Sequence, residues 1–381
     1  MVCGEMNKTF IRTGLALGLI FLFSGSSAIA ISPQLALSFN YPIQNNFFKT
    51  DMLIFISPQY ANDIDITNAI EGYIFAVKKD MNWNIKIIYL TEEINQYEKI
   101  DQILEDYYNK SNINAALMIG EDTDTALSGD CDYIEKPSIV PWFTTGGMDA
   151  YEISEQGIVS KPYKMDICVS LLYPTSILDY ETKKNQIINT LNKFSKQRTF
   201  YLNNDIIVFE SSEINKYSKD IYKTLDQLGN LVYIQDPNIS MIEESLDDIH
   251  SMYFVHGHSN PAGTKVNEWF SAENVDNLKT PFFAADGCYV GGWWSNQTDN
   301  NILDPSIAGS WYGSKIFSNE VIQVIVCGLI SQNGYSYNVS FLENSSPGLI
   351  NGKNIAESLI GNTFIGDNVI VFGDPTFHFT F

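Results

Sequence analysis

The sequence predicts an α/β protein built of two adjacent parallel-sheet α/β sandwich subdomains, and three observations predict it. Apolar runs of strand length alternate with amphipathic stretches of helix length along most of the chain, a pattern that calls for a parallel sheet covered on both faces. The alternation runs through twice, with a break near residues 197–204. The 381 residues also exceed one ordinary core, since a domain typically holds about 100–150.

The elements follow in order. Met52–Ile56 reads as a strand, Ile66–Lys79 as a helix, Ile85–Leu90 as a strand, Tyr97–Asn109 as a helix and Ala115–Ile119 as a third strand. Residues 121–165, rich in Gly, Pro and aromatics, read as a long surface excursion. A strand at Ile167–Leu172 and a helix at Asp179–Lys196 resume the pattern. The second alternation has strands at Asp205–Phe209, Leu231–Ile234, Met252–Val255, Phe282–Ala285, Val321–Gly328 and Val369–Phe372, with helices at Glu213–Leu228, Ile239–Ile249 and Ile355–Ile360. Residues 31–200 and 201–381 are therefore expected as the two subdomains.

The first thirty residues stand apart. Lys8 and Arg12 precede the apolar Gly14–Phe23, and small residues lead to Ala28-Ile29-Ala30, the order of a cleaved secretory signal. An uncleaved anchor of about 18 residues is the alternative. The expectation is a secreted or cell-surface protein that meets a membrane only if residues 1–30 are retained. Beyond residue 30, five Asn-x-Ser/Thr triplets, at Asn109, Asn238, Asn296, Asn338 and Asn344, fit export, although an Asn-rich chain also makes them by chance.

Composition narrows the function. With 45% hydrophobic and 13% aromatic residues, the chain has the apolar mass that disordered segments lack. Its net charge of −22 repels phosphate backbones and anionic lipid surfaces, which argues against nucleic acid as a partner. The cysteines, Cys3, Cys131, Cys168, Cys288 and Cys327, contain no CxxC pair and the four histidines no HExxH, so a dedicated zinc site has no support. Cys131 and Cys168 could pair in an oxidising compartment, a question that sequence leaves open. Cys327 lies in an apolar strand and reads as core.

Functional groups in an open parallel sheet gather at the carboxyl ends of strands. Two such ends carry chemistry: Met252–Val255 runs into His256-Gly257-His258-Ser259, and Phe282–Ala285 into Asp286-Gly287-Cys288. A thiol is mostly protonated at neutral pH, and a nearby imidazole supplies the base or cation that makes thiolate available. Gly257, with no side chain to obstruct its N–H, is expected to form an oxyanion hole with the N–H of Cys288. Cys288 sits among Gly287, Gly291 and Gly292, a loop setting rather than a core. His258 is expected on the rim or the substrate side. Trp293 and Trp294 either wall a substrate cleft or cover the core.

These two segments resemble the His-Gly and Ala-Cys signatures of the caspase-like cysteine peptidases, and the gingipain-type branch fits best. Val255-His256-Gly257-His258-Ser259 and Asp286-Gly287-Cys288, with Gly291 three positions on, match it. Asp166-Ile-Cys-Val-Ser-Leu-Leu is similar to the family's Asp-Ile-Ala-Val-Gly-Arg-Leu, and Gly373-Asp374-Pro375-Thr376 resembles its closing segment. Gly287, Ser170-Leu171 and Val255 depart from the pattern without removing a reacting atom.

The resemblance covers residues 50–381 and implies a caspase/gingipain-like fold and hydrolysis of a protein or peptide substrate through a Cys288–His256 dyad, with no required cofactor. It also places an acidic residue at Asp166, either to orient His256 or as an ordinary strand-end carboxylate. A structural calcium ion, which the branch often uses, would look to Glu121, Asp122 and Asp124, although hard-ion sites take six to eight oxygens. The rival expectation is an inactive member that serves as a surface binding or scaffold protein. Asp374, before Pro375, reads as a turn former.

Overall fold

The strand residues are apolar runs, and their burial follows from covering on both faces. The computed structural model describes residues 49–91, 94–95, 97–120, 151–154, 157–160, 163–174, 178–201, 205–213, 225–246, 248–260, 263–271, 279–287, 315–317, 321–328, 340–364 and 368–380. All lie in the unit Asn46–Phe381. Ten strands are β1 (Met52–Ile56), β2 (Ile85–Tyr89), β3 (Ala115–Ile119), β4 (Cys168–Leu172), β5 (Ile206–Glu210), β6 (Leu231–Gln235), β7 (Met252–His256), β8 (Phe282–Asp286), β9 (Gln323–Gly328) and β10 (Asn368–Gly373). They form one sheet in the order β6-β5-β7-β8-β9-β10-β4-β3-β1-β2.

Every residue of β1, β3, β4, β5, β7 and β8 is buried, whereas the end strands β2 and β6 are partly exposed. Strands β6, β5, β7, β8 and β9 run parallel to one another. So do β10, β4, β3, β1 and β2. The two sets meet at the antiparallel pair β9–β10, with Cys327 opposite Val369. Both alternations thus share one sheet, and the strand next to β4 comes from the end of the chain. Ser170, at the Gly position of the family pattern, is buried at this seam and its Oγ donates to the Gly373 carbonyl at 2.8 Å.

The helices have clear local causes. Helix α1 (Ile64–Met81) starts at Asp63, whose carboxylate accepts from the N–H groups of Asp65 and Ile66, and ends at Asn82 in the left-handed conformation. Such an N-cap contributes about 1 kcal/mol. Its buried residues Ile66, Ala69, Ile70, Tyr73 and Val77 recur at helical spacing and face the sheet. Helix α2 (Tyr97–Ser111) and helix α3 (Tyr180–Lys196) complete the first half, with Asp179 capping α3 through the Thr182 N–H. Tyr73 meets Phe194 where α1 and α3 pack together, with ring centroids 6.0 Å apart.

In the second half α4 spans Ile239–Leu246, shorter than the sequence suggests, and α5 (Ser340–Ile350) and α6 (Ile355–Leu359) follow. Most of the helix expected at Glu213–Leu228 lies outside the described residues. Within the excursion, Tyr151–Ser154 and Gly157–Ser160 form a hairpin, and Tyr163–Lys164 pairs with Thr363–Phe364. Among the described residues no helix is long and apolar enough to cross a membrane.

Candidate functional site

Each of three neighbouring strands runs one residue past its last apolar side chain, and that residue is titratable. Strand β5 ends on Glu210, β7 on His256 and β8 on Asp286. In register His256 is the partner of both Glu210 and Asp286, so the three form one row and project from the same face of the sheet. All are buried: Glu210 is 0% exposed, His256 1% and Asp286 7%.

The row has a direction. His256 Nδ1 lies 3.0 Å from Glu210 Oε1, and its Nε2 lies 3.7 Å from Asp286 Oδ2. A carboxylate at Nδ1 holds the proton there, which leaves the lone pair on Nε2, on the side of Asp286, and supports the imidazolium when it forms. Asp286 Oδ2 has no hydrogen bond among the described residues. Burial pushes the Asp286 carboxyl up to about 6, opposed by its attraction to His256. Tyr233 on β6 donates its hydroxyl to Glu210 Oε2 at 2.5 Å.

The two glycines beside this row are required by close approach. A Cβ on Gly257 would sit 2.3 Å from the Lys265 carbonyl oxygen, and one on Gly287 would sit 2.0 Å from Ser259 Oγ and 2.4 Å from the Gly257 oxygen. The second contact explains why glycine stands at position 287, where the family has alanine. It also brings the segment entering Cys288 against the segment leaving His256.

Several expected site residues land elsewhere. The Gly257 N–H donates to the Asp286 carbonyl at 3.2 Å and continues the β7–β8 ladder, so it is not the open donor that an oxyanion hole needs. His258 starts a small antiparallel sheet (His258–Asn260, Gly263–Lys265, Trp269–Ser271), with its half-exposed ring 3.3 Å from Glu213. Asp166 precedes β4, and the Tyr108 hydroxyl hydrogen-bonds to it. Because β8, β9 and β10 lie between β7 and β4, four strand spacings, about 19 Å, separate Asp166 from His256. Glu210 occupies the position at Nδ1 that the sequence suggested for Asp166.

Cys288, Trp293, Trp294, Glu121, Asp122, Asp124 and Cys131 lie outside the described residues. Among the described residues no group of three His, Cys, Asp or Glu side chains could hold a metal ion. Cys168 is a free thiol, fully buried in β4, and burial pushes it up to about 12, which makes it inert near neutral pH.

Sequence reasoning missed Glu210 and assigned no role to Asp286 or Tyr233. One signal was present: three apolar runs each stop at a side chain that can carry a proton.

The ten-stranded α/β sheet, with a buried imidazole at the end of β7, matches a caspase-like α/β fold among solved structures. In fold the chain is similar to gingipain R, the Arg-specific cysteine proteinase RgpB, at 13% identity and a TM-score of 0.54, over 87% of this chain and 78% of that one. A second structure, the complex of Porphyromonas gingivalis RgpB pro- and mature domains, matches at 13% identity and a TM-score of 0.55, over 86% and 79%. At that identity the likeness is one of fold. No protein-family model and no curated protein matches the sequence.

Proposed function

We propose that this chain is an exported cysteine endopeptidase in which Cys288 is the nucleophile, His256 the general acid and base, and Glu210 the carboxylate that orients His256. The observation that carries this reading is the buried row Glu210–His256–Asp286, two residues ahead of Cys288. In the reaction the Cys288 thiolate attacks the peptide carbonyl, forming a C–S bond and a tetrahedral oxyanion. Collapse breaks the C–N bond, and His256 delivers its Nε2 proton to the leaving amine. The imidazole, neutral again, takes a proton from water as the hydroxyl attacks the thioester; collapse then breaks the C–S bond, the acid departs, and the Cys288 thiolate and His256 imidazolium are restored. Glu210 stabilises each imidazolium stage. The backbone N–H of Cys288 is the remaining oxyanion donor from the expected pair.

Export rests on residues 1–30, and mature protein recovered outside the cytoplasm should begin near Ile31. A retained amino terminus on membrane-bound material would make the segment an anchor instead. The peptidase reading is tested by labelling with a library of peptidyl electrophiles that differ in the side chain before the reactive carbon. Cys288 should react far faster than Cys168, and His256→Ala should slow that reaction without unfolding the protein. Labelling that ignores Cys288, or is equal at all thiols, would leave a binding protein with a peptidase fold.

A further inference from the structure

Glu210 is a fully buried carboxylate that has to keep one oxygen aimed at an imidazole. Its backbone is held on both sides: Ser211 N donates to the His256 carbonyl at 3.0 Å and Asp236 N to the Glu210 carbonyl at 2.8 Å. A carboxylate bonded through both oxygens is held more firmly than one bonded through a single oxygen, and Tyr233 supplies a bond to the second, its hydroxyl 2.5 Å from Oε2.

The placement follows from the register. Gln235 is the partner of Glu210, and Tyr233, two residues earlier, projects from the same face and reaches along it to the carboxylate. Tyr233 is 40% exposed on the end strand β6, whereas the acceptor it reaches is 0% exposed. A half-exposed ring therefore brings a hydroxyl to a group that solvent does not touch. A hydrogen bond donated to the charged form of an acid favours that form, and a partner bound to the orienting group in turn fixes the ring that it orients.

We propose that Tyr233 is a positioning residue of the His256 site, which aims the Glu210 carboxylate at Nδ1 through Oε2. The inference rests on the peptidase reading only for its kinetic readout. Tyr233→Phe removes one oxygen and keeps the ring, so packing at the sheet edge is retained.

The test compares wild type, Tyr233→Phe, Glu210→Gln and the double variant in the full chain, by two measurements. The first is the proton resonance of the His256 Nδ1–H, which moves far downfield when bonded to a buried carboxylate. The second is the pH profile of Cys288 alkylation by a peptidyl electrophile. Tyr233→Phe should displace the Nδ1–H signal and slow alkylation about tenfold, the effect of losing one hydrogen bond to a charged group. In the Glu210→Gln background it should cause no further loss, because the carboxylate through which it acts is gone. An unchanged signal and rate in Tyr233→Phe, or losses that multiply in the double variant, would overturn the proposal. If the wild type does not react with any electrophile, the peptidase reading fails and the Nδ1–H signal alone decides the role of Tyr233.

Discussion

Two buried acidic clusters in this protein solve opposite problems. At the C-terminal turn Asp374 is 0% exposed and its oxygens are filled. Oδ1 accepts from the Tyr73 hydroxyl at 2.6 Å, the Thr376 N–H at 2.9 Å and the Thr376 hydroxyl at 2.6 Å, while the Arg198 guanidinium binds Oδ2. Arg198 also reaches the Thr376 hydroxyl at 2.6 Å and Asp80 at 3.3 Å. One carboxylate thereby ties α1, the segment that follows α3 and the C-terminal turn together. At the β7–β8 edge Asp286 is almost as buried, yet its Oδ2 has no hydrogen bond among the described residues and its acidity has fallen. A carboxylate saturated with donors serves structure. One left short of them beside an imidazole has bonding capacity to spare for reacting groups.

The sharpest way to test that contrast is to remove one member of each cluster and read rate and stability separately. His256→Ala should lower kcat/KM by about 10³-fold or more, the size of a lost general acid and base, out of proportion to any fall in its denaturant midpoint. A variant that unfolds in step with its lost activity would make the row structural after all. Arg198→Met should do the reverse. It leaves the Asp374 carboxylate buried without its charge partner, a loss of about 3–5 kcal/mol. Retention of the wild-type midpoint in urea would show that the Tyr73 and Thr376 hydroxyls suffice without the guanidinium.

A smaller effect separates the two clusters by pH. The Asp286 carboxyl is raised from 3.8 to about 6, so between these values the native state keeps a proton that the unfolded chain has lost. Stability from this group is complete below about pH 4 and is lost as the pH rises through 6, a fall of about 3 kcal/mol at most. Asp286→Asn should flatten the pH dependence of the unfolding free energy across that window. A slope that survives the substitution would assign the titration to another group.

The smallest effect belongs to Asp166→Asn, which should change turnover by less than about twofold, since charges beyond a Debye length of about 8–10 Å are largely screened. A tenfold loss would reinstate Asp166 as a partner of His256 acting at a distance.

The sequence by itself determined the strands, because a parallel strand buried on both faces must be an unbroken apolar run, as Met52–Ile56, Ala115–Ile119 and Phe282–Ala285 are. It also located His256, since an imidazole followed by glycine at the end of such a run is a local pattern. Its limit was the last residue of each run. Glu210 looked like the start of a loop because charge normally ends a strand, and nothing local says that β5 pairs with β7 so that Glu210 lies beside His256. Asp166 erred for the complementary reason. Its strand end is on the same edge of the sheet as His256, but β10, which follows it by some two hundred residues, enters beside β4 and becomes part of the spacing between them. Strand order and register are set by pairing between distant segments, which no local period encodes, so only the tertiary structure decided which carboxylate meets the imidazole.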